Sequence, residues 1–157
     1  MLMNNWFECK VKVEKVIESG ATKKVPEIYL VDALNFTEAE ARIIDEVTPF
    51  CNGQLEVCDI KRSRYTEMFT SELDSADKWY KVKCNFITID EKTQTEKKTA
   101  SLMLVQASDL RDAVRNFDEG MKGSMVDYEI ATVQETNILD VFPYTADAKK
   151  DKPEFGG

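Results

Sequence analysis

The sequence predicts an α+β fold: a tandem duplication of a β-β-α-β unit with strand order 2-1-3 in each copy, its two helices packed on mainly antiparallel sheet about a pseudo-twofold axis. Three observations predict it. The phrase YLVDALNFTEAEARIID, beginning at Tyr29, returns in altered form as MLVQASDLRDAVRNFDE, beginning at Met103. An offset of 73 pairs Trp6 with Trp79, Glu56 with Glu129, Val57 with Ile130 and Phe69 with Phe142, and an offset of 74 pairs Leu30 with Leu104, Val31 with Val105, Ala33 with Ala107 and Ala39 with Ala113. Helix then falls on helix and strand on strand, which chance seldom arranges over three elements at once.

WFECKVKVEKV opens the first copy as a half-buried strand, because Phe7, Cys9, Val11 and Val13 alternate with Glu8, Lys10, Lys12 and Glu14. Gly20 marks a turn, and EIYLVDA returns as an antiparallel partner. Thr37 and Glu40 have the spacing of a capping box at the start of a helix whose apolar face is Ala39, Ile43, Ile44 and Val47. Pro49 and Gly53 end it, and QLEVCDIKRSRY alternates as a third strand. A single helix over three strands covers too little apolar surface, so the two copies are expected to share one core.

The second copy repeats this order through WYKVKCNFITI, the polar turn DEKTQTEKK, TASLMLVQA, the helix DLRDAVRNFDE and DYEIATVQETNILDVF. Ser108 is expected to cap its helix and Gly120 to stop it, while Leu110, Ala113, Val114 and Phe117 form the face that packs on sheet. One domain over 1–157 results, with repeat 1 at about 5–69, a linker at 70–78, repeat 2 at about 79–142 and a polar, mobile tail at 143–157.

Charged residues make up 32% of the 157 and hydrophobic residues 43%, the balance of a globular chain that buries a core without staples. No apolar run is long enough for a membrane span and no leader is evident, so a cytoplasmic location is expected and no membrane partner. The complete absence of histidine removes the commonest acid–base group and transition-metal ligand. Cys9, Cys51, Cys58 and Cys84 lack metal-ligand spacing, and Cys51 with Cys58 admits either a disulfide or two free thiols. No catalytic set, metal site or cofactor is expected: the carboxylate pairs at Asp45, Asp90 and Asp118 sit at helix ends and turns, and no glycine-rich phosphate loop exists.

Comparison of the copies singles out IKRSRY at Ile60–Tyr65, which stands opposite VQETNI at Val133–Ile138. Cations that one copy has and the other lacks are not required by packing. Lys61, Arg62, Arg64 and Tyr65 combine positive charge with an aromatic ring, as single-stranded nucleic-acid sites do. The structural alternative is that the arginines pair with carboxylates on a neighbouring strand. Lys10, Lys12, Lys15, Lys23 and Lys24 extend the patch or protect a sheet edge, and the recurring KVK at Lys81 and Lys83 suggests a solvated sheet face common to both copies. Trp6 and Trp79 are expected to plug core.

NWFECKVKVEK, YLVDALNFTEAEARII, DIKRSRY, WYKVK, MLVQASDLRDAV and DYEIA together resemble an uncharacterised family of short proteins found in gut Bacteroidetes and their phages, catalogued as domain of unknown function 4494, over nearly all of Asn5–Tyr144. The resemblance implies a phage-related setting and supplies no activity, cofactor or catalytic residue. Two functions are carried forward. The first is a non-enzymatic binding protein for single-stranded or structured DNA or RNA. The second is a protein–protein interaction module or homodimer, an adaptor or inhibitor of a host or phage protein, adding a strand at a sheet edge or through the tail around Phe155.

Overall fold

A computed structural model of the protein describes residues 5–51 and 53–143. Among them the chain forms eight strands and two helices in the order β1 (Trp6–Val16), β2 (Thr22–Asp32), α1 (Phe36–Val47), β3 (Leu55–Arg62), β4 (Tyr65–Phe69), β5 (Lys78–Asp90), β6 (Thr95–Ala107), α2 (Leu110–Gly120), β7 (Asp127–Glu135) and β8 (Ile138–Phe142). They make a mixed α+β architecture of two four-stranded sheets, ordered β3-β1-β2-β8 and β4-β6-β5-β7. The tail around Phe155 lies outside the described residues.

The chain divides into two compact units. One runs to Ser63 and resumes at Ile138, and the other runs Arg64–Asn137. In the first, β1 lies between β2 and β3, antiparallel to both, and β8 joins the far side of β2 in parallel. In the second, β5 lies between β6 and β7, antiparallel to both, and β4 joins β6 in parallel. A fourth strand thus extends the expected three. The alternating stretch QLEVCDIKRSRY is not one strand: the amide of Ser63 donates to the carbonyl of Trp6 at 2.7 Å, ending the β3 ladder, and the chain passes into the second unit. Thr136 ends β7 in the same way on the carbonyl of Trp79, at 2.9 Å, before β8 returns to the first unit. Alternation continues through both breaks because each new strand is also half-buried, which is why the sequence shows no interruption.

Each helix covers a core cluster on its own sheet. Phe7, Cys9, Val11, Val13 and Val31 of the first sheet pack under Ala39, Ile43 and Val47 of α1. Tyr80, Val82, Cys84, Met103 and Val105 of the second pack under Ala113, Phe117 and Met121 of α2. A fully buried side chain of this size contributes roughly 1.5–3 kcal/mol, and a one-residue slip would turn every one outward, so the register is tightly fixed. Trp6 and Trp79 are buried as expected, on the sheet faces away from the helices.

Helix boundaries differ from the capping expectation. Asn35, not Thr37, caps α1, its side chain accepting from the amide of Glu38 at 2.8 Å while Glu38 accepts from the amide of Leu34 at 2.6 Å. Asp109, not Ser108, caps α2, accepting from the amide of Asp112, whose carboxylate in turn accepts from both the amide and the hydroxyl of Ser108. α1 thus starts two residues earlier and α2 one residue later than expected; Ile44 and Leu110 are exposed, and Met121 joins the core. α2 ends at Gly120, as the sequence predicts.

Candidate functional site

The four residues singled out by composition fall on both sides of the Ser63–Arg64 division: Lys61 and Arg62 end β3 in the first unit, and Arg64 and Tyr65 begin the second. They do not alternate along a single strand. Lys61 stands opposite Glu8 on β1, with 3.6 Å between ammonium and carboxylate. Arg62 turns to the helix side, its guanidinium 5.1 Å from the ring centre of Phe7 and 5.6 Å from that of Phe36, a cation–π arrangement beside the start of α1. Tyr65 is half-buried opposite Leu102, and Arg64 is exposed.

The register explains why Lys61 is there. On the face of the first sheet away from α1, Lys61 is opposite Glu8, Asp59 opposite Lys10, Glu56 opposite Lys12, and Glu14 opposite Lys24, which also reaches Glu56 at 3.9 Å. Opposite charges directly across a ladder attract by a few tenths of a kcal/mol each. This face is charge-compensated position by position.

The corresponding face of the second sheet is not. Lys81 lies between Leu104 and Gln134, and Lys83 between Leu102 and Thr132, so no carboxylate stands opposite either. Further along, Glu129 holds Lys98 at 3.1 Å and Asn85 at 3.2 Å, contacts that lower its carboxyl below the usual range. Arg64, Lys81 and Lys83 make no ion pair among the described residues. A groove of about 350 Å³ is lined by Arg64, Thr66, Lys83, Ala100, Ser101 and Leu102. Thr66 and Ser101 bring their hydroxyls within 2.9 Å, and the Thr66 hydroxyl also reaches the carbonyl of Leu102 at 3.2 Å. Two cations beside an apolar floor suit an anionic ligand carrying a non-polar part.

Lys83 was legible only as half of a repeated KVK. What the sequence lacks is the partner: Lys10 and Lys83 look alike until the register puts Asp59 opposite one and Thr132 opposite the other.

A second groove, of about 370 Å³, lies between α1 and β3 and is lined by Phe36, Thr37, Glu40, Cys58, Asp59 and neighbours, with no cation. All four cysteines are free, which removes the Cys51–Cys58 disulfide from consideration. Burial pushes the Cys9 thiol up to about 12 and raises that of Cys84, so neither is a nucleophile at neutral pH. Tyr29 is held protonated by burial and by its 2.8 Å hydrogen bond to Glu27, which also meets Lys15 at 2.6 Å. Among the described residues no three His, Cys, Asp or Glu side chains gather to hold a metal ion. No helix there is long and apolar enough to cross a membrane.

No curated protein and no solved structure matches the chain. The family described as Domain of unknown function (DUF4494) matches residues 5–144. That span takes in every strand and both helices, and the chain belongs to this family.

Proposed function

We propose that the protein is a non-enzymatic binding protein for single-stranded nucleic acid, contacting the strand through the helix-free face of its second sheet. One observation carries this reading: Arg64, Lys81 and Lys83 lack the carboxylates that neutralise the equivalent face of the first sheet. Of the four residues chosen by composition, Arg64 and Tyr65 belong to this unit. Lys61 and Arg62 are already engaged by Glu8 and by the rings of Phe7 and Phe36, and contribute less. With a formal net charge of −8, long-range attraction for phosphate is absent and binding depends on local contacts. The phage or mobile-element setting implied by the resemblance noted above, and the cytoplasmic location expected from the sequence, accord with such work. The test is fluorescence anisotropy of a labelled oligothymidylate in low salt. Binding that weakens steeply as salt rises is expected, and absence of binding at about 50 mM salt, where phosphate contacts are strong, ends the reading.

We further infer that the chain arose by tandem duplication, each copy now being β-β-α-β followed by a strand that completes the other copy's sheet. Matching irregularities support it. The β1–β3 ladder shifts register after Lys10 and the β5–β7 ladder after Lys83, each skipping one residue, Cys58 and Ala131 respectively. The parallel pairs shift at equivalent places, Leu139 and Thr66 being skipped. Bulges have no reason to coincide in unrelated sheets.

A further inference from the structure

We propose that the groove lined by Arg64, Thr66, Lys83, Ala100, Ser101 and Leu102 is a nucleotide subsite: Arg64 and Lys83 take one phosphate group, and the sugar or base lies on Ala100 and Leu102. This deepens the single-strand reading and rests on it. The cations come from different segments, Arg64 just before β4 and Lys83 within β5, while Leu102 lies on β6 between those strands. They therefore approach a ligand from two sides. A guanidinium offers a planar fork to two phosphate oxygens and an ammonium offers a point charge, so the pair covers more than one oxygen.

The volume of about 350 Å³ is at the small end of ligand pockets and suits one nucleotide rather than a longer stretch. No aromatic ring lines it, so the base contact is apolar and carries little base preference.

The experiment uses the full chain, labelled with ¹⁵N, and three probes: inorganic phosphate, thymidine monophosphate and a short oligothymidylate. The proposal expects the amides of Arg64, Thr66, Ser101 and Leu102 to shift with the nucleotide and the oligonucleotide. A response to the oligonucleotide alone identifies a phosphodiester site, and a response to the mononucleotide identifies a site that also accepts a terminal phosphate; both support the subsite. Arg64→Gln and Lys83→Gln are each expected to weaken oligonucleotide affinity about tenfold, the size of a lost charged hydrogen bond. Lys83→Gln should also make the slope of log affinity against log salt shallower by about 0.7. Ser101→Ala should leave binding unchanged, and Lys61→Gln should change it by no more than about twofold. Oligonucleotide binding that survives Arg64→Gln plus Lys83→Gln, with shifts elsewhere, overturns the subsite while leaving the wider reading intact; no response to any probe removes both. Both cations are exposed, so their replacement leaves the core undisturbed.

Discussion

The amide of Ser63 donates to the carbonyl of Trp6 at 2.7 Å, and with that bond the first sheet receives its last pairing from the chain that precedes it. The next residue belongs to the other unit. Each half of the sequence therefore finishes the other half's sheet: β4 lies on β6 and β8 lies on β2. A protease site placed at Leu73, exposed in the segment between β4 and β5, should be cleavable in the native protein without separating the pieces. Co-elution of both fragments in native buffer, and their release only on denaturation, is the expected result on size exclusion. Fragments that part in native buffer would contradict the exchange.

Arg62 makes its contacts on the helix side, over Phe7 and Phe36. Arg62→Ala should lower stability by about 0.5–1 kcal/mol, the range of a partly exposed cation–π pair, and should leave oligonucleotide affinity within about twofold. Chemical denaturation and anisotropy read the two effects separately. A large loss of affinity with unchanged stability would restore Arg62 to the binding surface.

Asp112 is buried at the start of α2, and hydrogen bonds from the Ser108 amide and from Arg115 hold its carboxyl below the usual range. A carboxyl lowered in the folded state stabilises above the pH at which the unfolded chain titrates, about 3.9, and loses that contribution as pH falls through its folded value. Asp112→Asn should therefore lower the melting temperature near neutrality and leave a smaller further drop in acid. Melting curves of the two proteins that stay parallel from pH 7 to about 2 would show that Asp112 does not titrate as argued.

Gly120 closes α2 against the ring of Phe69, and a methyl group added there would lie 2.6 Å from Cδ1 and 2.8 Å from Cε1. Alanine ordinarily stabilises a helical position by about 1 kcal/mol over glycine. Here the sign should reverse, because a contact under 3 Å forces a shift of the Phe69 ring, which is packed edge-on against the buried Phe117. Gly120→Ala is expected to cost about 1–3 kcal/mol, as overpacking does, measured by denaturant midpoint. A gain in stability would mean that Phe69 moves freely.

The hairpins, both helices and the buried stripe Phe7, Cys9, Val11 and Val13 were legible because alternation and helical spacing are local properties. The exchange at Ser63 and Thr136 was not, since a strand carries the same pattern whichever sheet receives it. Caps shifted for a related reason: Asn35 and Thr37 are both acceptable, and only the entry direction of the chain decides between them. For the candidate site, Arg64 was visible as a cation where the other half has none. Lys83 was hidden, because the absence of a carboxylate across the ladder depends on a register that spans some fifty residues of chain.

Parallel pairing of β8 with β2 has a consequence for synthesis on the ribosome. The free edge of β2 stays open until the whole second unit has been translated, whereas that second unit already holds β4 when its own strands emerge. The later half can fold first, and the nascent earlier half spends that interval with an unpaired, partly greasy edge that invites aggregation or a chaperone.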